Sequence, residues 1–307
     1  MSVRMSKPRI ELKGVIVPML TPFQGNEDLD EEAVRRYSRW LIESGVHGLF
    51  PNSSMGEFTK LSMEERKRLI SIVVDETNGK IPVIAGTGDV STRNTLTLTK
   101  YAKDAGADAA VIVTPYYVHP TEDALYEHYK SISDQIDIPI AVYDIPEATG
   151  YSVRPELVTR LADIENVVAI KDSSSDMTKF IRELRHVGDK VAVLQGSEYL
   201  FVPSLAMGGP GGILGIASAC PSFVVKMYET YVKGNMSKAV EMQMQLVQLL
   251  DKFGQGLRSY DFTAAVMEAV TVRGIPMGNV RRPGTPVTKE LEGSVKDILA
   301  EFDKKTN

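Results

Sequence analysis

Short runs of consecutive apolar residues recur along the chain at 14–20, 47–51, 82–86, 109–114, 139–143, 167–171, 191–195 and 212–217, each bounded by Gly, Pro, Asn or Asp. Runs of that length, apolar at nearly every position, predict strands buried on both faces. The segments between them carry their apolar residues at helical spacing instead. In 30–44, Val34, Tyr37, Leu41 and Ile42 share one face, and Gly45 supplies the stop. Similar helices are predicted over 63–77, 91–105, 121–135, 154–163, 175–187, 197–208 and 221–233, with Ser62 and Ser91 placed to cap two of them. A strand followed by a helix, eight times over, describes a parallel sheet covered by helices. Eight such units match the closed (β/α)8 TIM barrel, with an open doubly wound sheet as the second choice.

After residue 235 only helical spacing continues, at 236–253, 259–273 and 287–303, with breaks at Gly254-Gln255-Gly256 and Arg281-Arg-Pro-Gly-Thr-Pro286. The expected organisation is therefore a barrel over 10–235 and a C-terminal helical region over 236–307. Met236, Met242 and Met244 in the first of these helices read as core or subunit contact rather than a cofactor box. The cluster Gly208-Gly209-Pro210-Gly211-Gly212 runs into a strand, whereas phosphate-cradling loops run from a strand into a helix, so a tight turn is expected there and no nucleotide site.

Composition narrows the function classes. With 307 residues, 43% hydrophobic and 24% charged, the chain is an ordinary globular one. A net charge of -5 with both signs interspersed offers no basic stripe for nucleic acid or anionic lipid. No segment approaches the ~18 apolar residues of a membrane span. The opening Met-Ser-Val-Arg-Met-Ser-Lys-Pro-Arg lacks an apolar core and a cleavage site, so a cytoplasmic protein is expected. One cysteine, Cys220, forms no internal disulfide, and His47, His119, His128 and His186 are scattered without metal-ligand spacing, so no metal or other cofactor is expected.

In a (β/α)8 barrel the chemistry sits at the carboxyl ends of the strands. Those ends are polar here: Asn52-Ser53-Ser54-Met55-Gly56-Glu57 after the second strand, Thr114-Pro115-Tyr116-Tyr117 after the fourth, Tyr143-Asp144 at the fifth, Lys171 at the sixth, and Gln195-Gly196-Ser197-Glu198 at the seventh. Lys171 closes the apolar run Asn166-Val-Val-Ala-Ile-Lys171. Desolvation at such a place favours the neutral, nucleophilic amine, which condenses with a ketone to a Schiff base. Serine hydroxyls and turn N–H groups suit the carboxylate of a keto acid. A phenol suits the proton transfers, and Tyr143 is the choice for that role. Each residue also has an ordinary structural explanation: Lys171 paired with Asp172, Ser53-Ser54 as a hydroxyl turn, the tyrosines as packed aromatics, Glu198 as a helix-start charge. Their shared placement at one rim is what favours chemistry.

The residues Gly14-Val-Ile-Val-Pro-Met-Leu-Thr-Pro-Phe23, Ser53-Ser54-Met55-Gly56-Glu57, Val113-Thr-Pro-Tyr-Tyr117, Tyr143-Asp-Ile-Pro146 with Thr149-Gly150, Ile170-Lys171-Asp172, Gly196-Ser-Glu198 and Gly208-Gly209 with Ile213 stand in fixed order over most of the chain. In these motifs the chain resembles the pyruvate-dependent class I aldolases, the family that includes dihydrodipicolinate synthase and N-acetylneuraminate lyase. The resemblance implies a barrel with a C-terminal helical region, a homo-oligomer (dimer or tetramer), no cofactor, and an imine between Lys171 and pyruvate. It implies Tyr143 as proton relay, Ser54 as the hydroxyl linking pyruvate to the tyrosines, Tyr117 as the tyrosine given across a dimer contact, and Ser53, Met55, Gly56, Gly196, Glu198 and Ile213 around the substrate.

Three positions depart from the family pattern. Met55 removes a hydroxyl from the expected carboxylate-binding pair. Asp144 replaces the common Asn, and Ala148 stands where the synthases carry the arginine that binds their aldehyde's carboxylate. The form Tyr-x-x-Pro-x-Ala-Thr-Gly looks like the 2-keto-3-deoxygluconate aldolases. The expected activity is thus reversible cleavage of a 2-keto-3-deoxy sugar acid to pyruvate and an aldehyde, with dihydrodipicolinate synthesis from aspartate semialdehyde as the alternative. A non-catalytic keto-acid-binding barrel is the alternative of another class.

Overall fold

The computed structural model describes residues 10–254 and 259–306. The basic start at 1–9, the predicted break at Gln255 and Gly256, and the final residue of the expected 236–307 region lie outside the described residues. In chain order the elements are β1 (Gly14–Pro18), α1 (Glu31–Glu43), β2 (Gly48–Phe50), α2 (Met63–Thr77), β3 (Ile84–Gly86), α3 (Thr92–Asp104), β4 (Ala109–Val113), α4 (Glu122–Gln135), β5 (Ile140–Asp144), α5 (Pro146–Thr149), α6 (Pro155–Ala162), β6 (Val167–Asp172), α7 (Met177–Val187), β7 (Ala192–Gln195), α8 (Phe201–Ala206), β8 (Gly211–Ile213) and α9 (Pro221–Val232). Three further helices follow: α10 (Met236–Gly254), α11 (Ser259–Val272) and α12 (Lys289–Thr306).

The strands form one sheet in the order β2-β1-β8-β7-β6-β5-β4-β3. Neighbours in the sheet are neighbours in sequence, and the first strand stands beside the last. An open doubly wound sheet reverses its strand order partway, so this order is that of the (β/α)8 TIM barrel. Every predicted strand is present. The eighth is shorter than expected, because Gly215–Ser218 forms a 3-10 turn, and a short apolar run does not by itself distinguish strand from helix. The predicted helix 197–208 is a 3-10 turn at Glu198–Leu200 followed by α8. Pro203 lacks an N–H, which suits the first turn of a helix, where no intrahelical acceptor is needed. The four-residue α5, with Pro146 at its start and Gly150 at φ +85° closing it, is too short to show a period.

The residues group into two compact units, 10–14 with Pro82–Ile213, and Val15–Ile81 with 214–306. In the first, the outward faces of the strands (Ala110 and Ile112, Ile140 and Val142, Ile170, Val193) pack against Tyr129 and Ile132 of α4, Leu157 and Leu161 of α6, and Phe180 of α7. Each buried Val, Leu, Ile or Phe among them stabilises the unit by roughly 1.5–3 kcal/mol. The glycine cluster before β8 makes the expected tight turn, with Gly208 at φ +101°. Gly211 then lies against the backbone of Gly14, whose N–H donates to Pro210 O at 3.0 Å. A Cβ on Gly211 would stand 2.2 Å from Gly14 O. Gly211→Ala is expected to lower stability by about 1–3 kcal/mol, the cost of overpacking. A urea midpoint that does not move, at unchanged slope, would show that this approach is dispensable.

In the second unit α1 buries Val34, Tyr37 and Leu41, and the Tyr37 hydroxyl donates to Ser218 O at 2.9 Å. Ser62 caps α2 in a reciprocal box with Glu65. The segment before α12 is strapped onto the loops around β2. Arg281 donates to both oxygens of Glu65 (3.0 and 2.6 Å) and its backbone N–H to Glu57 Oε2 at 3.0 Å. That guanidinium holds the Glu65 carboxyl down at about 2. Met242 is core, while Met236 and Met244 are exposed. No helix among the described residues is long and apolar enough to cross a membrane.

Candidate active site

The direction in which Lys171 points is set by an irregularity in β6. Ile140 of β5 pairs with Val167, but the next residue, Ala141, pairs with Ala169, so the register shifts and Val168 is the extra residue. Side chains alternate along a strand, and a shift of one residue exchanges the faces. Ahead of the shift Val167 belongs to the helix-packed core; beyond it Ile170 does so again. Lys171 therefore shares a level with Tyr143 on the face away from the helices, and Asp172 shares one with Asp144 on the helix side. Without the extra residue, strict alternation from Val167 would turn Lys171 towards the helices.

Lys171 and Tyr143 are 4% and 3% exposed. The Lys171 Nζ stands over the Tyr143 ring, 3.8 Å from its centroid. The face of the ring thus holds the amine beside the phenol. Asp144, which stands where the family pattern has Asn, points the other way. Its Oδ2 accepts from Ser152 Oγ at 3.0 Å and from Lys179 Nζ at 3.1 Å. Burial raises its carboxyl above the ordinary range, and the Lys179 ammonium opposes that rise.

Of the other predicted site residues in this unit, Gly196 sits where β7 meets β6. Its N–H donates to Asp172 O at 2.7 Å, and a Cβ there would meet Ser173 Oγ at 1.9 Å. Ile213 ends β8 fully buried, and Glu198 begins the 3-10 turn after β7, half-buried. Tyr117, in the loop after β4, is 93% exposed with φ +73° and is followed by exposed Val118. Ala148 is exposed on α5.

In the other unit, the turn after β2 is built around Ser53. Its hydroxyl donates to Met19 O at 2.9 Å and accepts from Gly56 N at 3.0 Å. Thr21 Oγ1 donates to Gly56 O at 2.7 Å, and Gly56 is packed so closely that a Cβ would meet Met19 O at 2.6 Å. Ser54 and Met55 at the tip are half-buried. The Ser53 hydroxyl is thus occupied in shaping the turn.

Sequence reasoning missed Lys179 and Glu183. Their i,i+4 spacing on α7 was the available signal, but that spacing ordinarily marks a solvated surface pair. Here both are buried.

A buried lysine against a phenol ring, at the carboxyl ends of adjacent strands of a (β/α)8 barrel, suits Schiff-base formation, the chemistry of pyruvate-dependent class I aldolases. The chain belongs to the dihydrodipicolinate synthetase family, whose model matches residues 11–302. It is 41% identical over 290 residues to a 4-hydroxy-tetrahydrodipicolinate synthase of Syntrophus aciditrophicus, covering 94% of this chain and 98% of the relative. A protein of the same name from Methanothrix thermoacetophila is 36% identical over 295 residues, 96% and 98% of the two chains. Among solved structures, a prophage protein of the dihydrodipicolinic acid synthase family from E. coli K12, in complex with pyruvate, superposes with a TM-score of 0.90 at 29% identity over 95% of this chain and 98% of the other.

Proposed function

We propose that Lys171 forms an imine with pyruvate and that Tyr143 moves the protons of the cycle. The amine nitrogen attacks C2 of pyruvate, the carbinolamine oxygen leaves as water after taking a proton, and loss of a C3 proton gives an enamine. The enamine carbon then attacks an aldehyde, and hydrolysis of the resulting imine frees the amine; cleavage is the reverse. The observation that carries this reading is the 3.8 Å separation between Lys171 Nζ and the Tyr143 ring at adjacent strand ends. In this reading Ser54 and Tyr117 extend the proton relay. The N–H group of Met55 answers the pyruvate carboxylate in place of the lost hydroxyl, Gly56 keeps that turn closely packed, and Gly196, Glu198 and Ile213 line the substrate. The exposure of Tyr117 favours its contribution across a homo-oligomer contact, and Met236 and Met244 are candidates for a second contact.

For the aldehyde we favour aspartate semialdehyde, which would make the chain a 4-hydroxy-tetrahydrodipicolinate synthase. Relatives of that name match it along nearly their whole length, and that extent supports the synthase ahead of the reading the substrate loop suggested. One observation favours that second reading, cleavage of a 2-keto-3-deoxy sugar acid: Ala148 offers no cation to a substrate carboxylate. The two separate in a direct assay. A synthase turns over pyruvate with aspartate semialdehyde and gains rate for it on Ala148→Arg. If 2-keto-3-deoxygluconate is cleaved and the semialdehyde is inert in both proteins, the synthase reading fails.

A further inference from the structure

Behind the sheet, on the helix side of β5 and β6, three carboxyl groups surround one ammonium. Asp144 and Asp172 are partners across the two strands, 0% and 2% exposed, so no solvent screens them from each other. Like charges directly opposite one another destabilise a strand pair. Lys179 reaches in from α7 and stands 3.1 Å from Asp144 Oδ2, 3.2 Å from Asp172 Oδ1 and 2.6 Å from Glu183 Oε1. Asp172 Oδ1 also accepts from Ser174 N at 2.8 Å. Burial, with Asp172 nearby, pushes Glu183 up to about 8. Lys179 is thus the one ammonium placed among the three carboxyl groups.

One residue back along each strand are Tyr143 and Lys171, on the opposite face. Any separation of Asp144 from Asp172 passes through a single rigid peptide to the pair that holds the amine against the phenol. We propose that Lys179 is a positioning residue for the reaction. Its ammonium clamps the ends of β5 and β6 from outside, and so fixes the distance between Lys171 and Tyr143 without touching substrate. This rests on Lys171 being the imine-forming lysine.

The test compares Lys179→Met, Asp144→Asn and the double variant, each checked for folding by circular dichroism. The rate at which borohydride traps pyruvate on the Lys171 peptide is read by mass. Lys179→Met should slow trapping by about tenfold or more, since misplacing a reacting group by an ångström costs up to ~10²-fold. It should lower kcat more than it raises KM. Adding Asp144→Asn removes one of the two facing carboxylates and should restore the rate to within about threefold, a coupling that independent sites do not show. Lys179→Arg should retain most of the rate. Trapping by Lys179→Met at the parent rate, or an equal loss in the double variant, overturns the proposal. Should Lys179→Met not fold, the double variant decides alone: the parent rate supports the clamp, and a tenfold loss overturns it. A parent protein that traps no pyruvate at all would instead sink the Schiff-base assignment, which keeps the two failures apart.

Discussion

Lys171→Ala abolishes the pyruvate-dependent mass increase after borohydride treatment and lowers turnover by on the order of 10⁴-fold or more, the scale expected when a covalent nucleophile is removed. The fold survives. The amine is 4% exposed, over the Tyr143 ring, so alanine forfeits the contact with the ring and the packing of three methylenes while relieving the burial of a polar group. These effects oppose each other, and the melting temperature should move by a few degrees in either direction. Lys179, eight residues on, is the internal control. It is nearly as buried, but three carboxyl groups surround it and hold it in its charged form well above the ordinary lysine range. A charged ammonium is no nucleophile, so a label found on the Lys179 peptide would overturn the assignment of Lys171.

What the chain discloses of its fold follows from how parallel strands are buried. Covered on both faces, they read as unbroken apolar runs, so counting the runs and the helices between them is enough to reach a (β/α)8 barrel. The same property hides the detail on which the site depends. In Val167-Val168-Ala169-Ile170 every position is apolar, so no alternation marks which residue is extra in the pairing of β6 with β5. The position of Lys171 at a strand end was legible; the face it occupies was not. Ser53 shows a related limit. A hydroxyl in a turn suits both a ligand and the turn itself, and only the bonds to Met19 O and Gly56 N reveal how it is used. The Lys179 cluster escaped because a Lys and a Glu four apart on a helix look alike whether α7 exposes or buries them. Substrate was least legible of all, since one side chain, Ala148, argues for a sugar acid while the relatives' names argue for the semialdehyde.

Tyr143→Phe separates what the ring does from what the hydroxyl does. Phenylalanine keeps the aromatic face on which Lys171 Nζ rests at 3.8 Å, and it keeps the residue's place beside Lys171 in the paired strands. The amine should remain positioned, and borohydride should still capture pyruvate on Lys171, though more slowly. The lost group is the one that delivers a proton to the departing carbinolamine oxygen and exchanges one with the aldehyde oxygen when the carbon–carbon bond forms or breaks. General acid–base groups of this kind contribute ~10²–10⁴-fold, so turnover should fall by about 10²-fold or more. The deficit should be larger in turnover than in imine capture, because turnover needs proton transfer at every step and capture needs it only up to the imine. Equal deficits in the two would assign the loss to imine formation alone. An unchanged turnover would remove the Tyr143 hydroxyl from the mechanism and leave its ring as a platform for the amine.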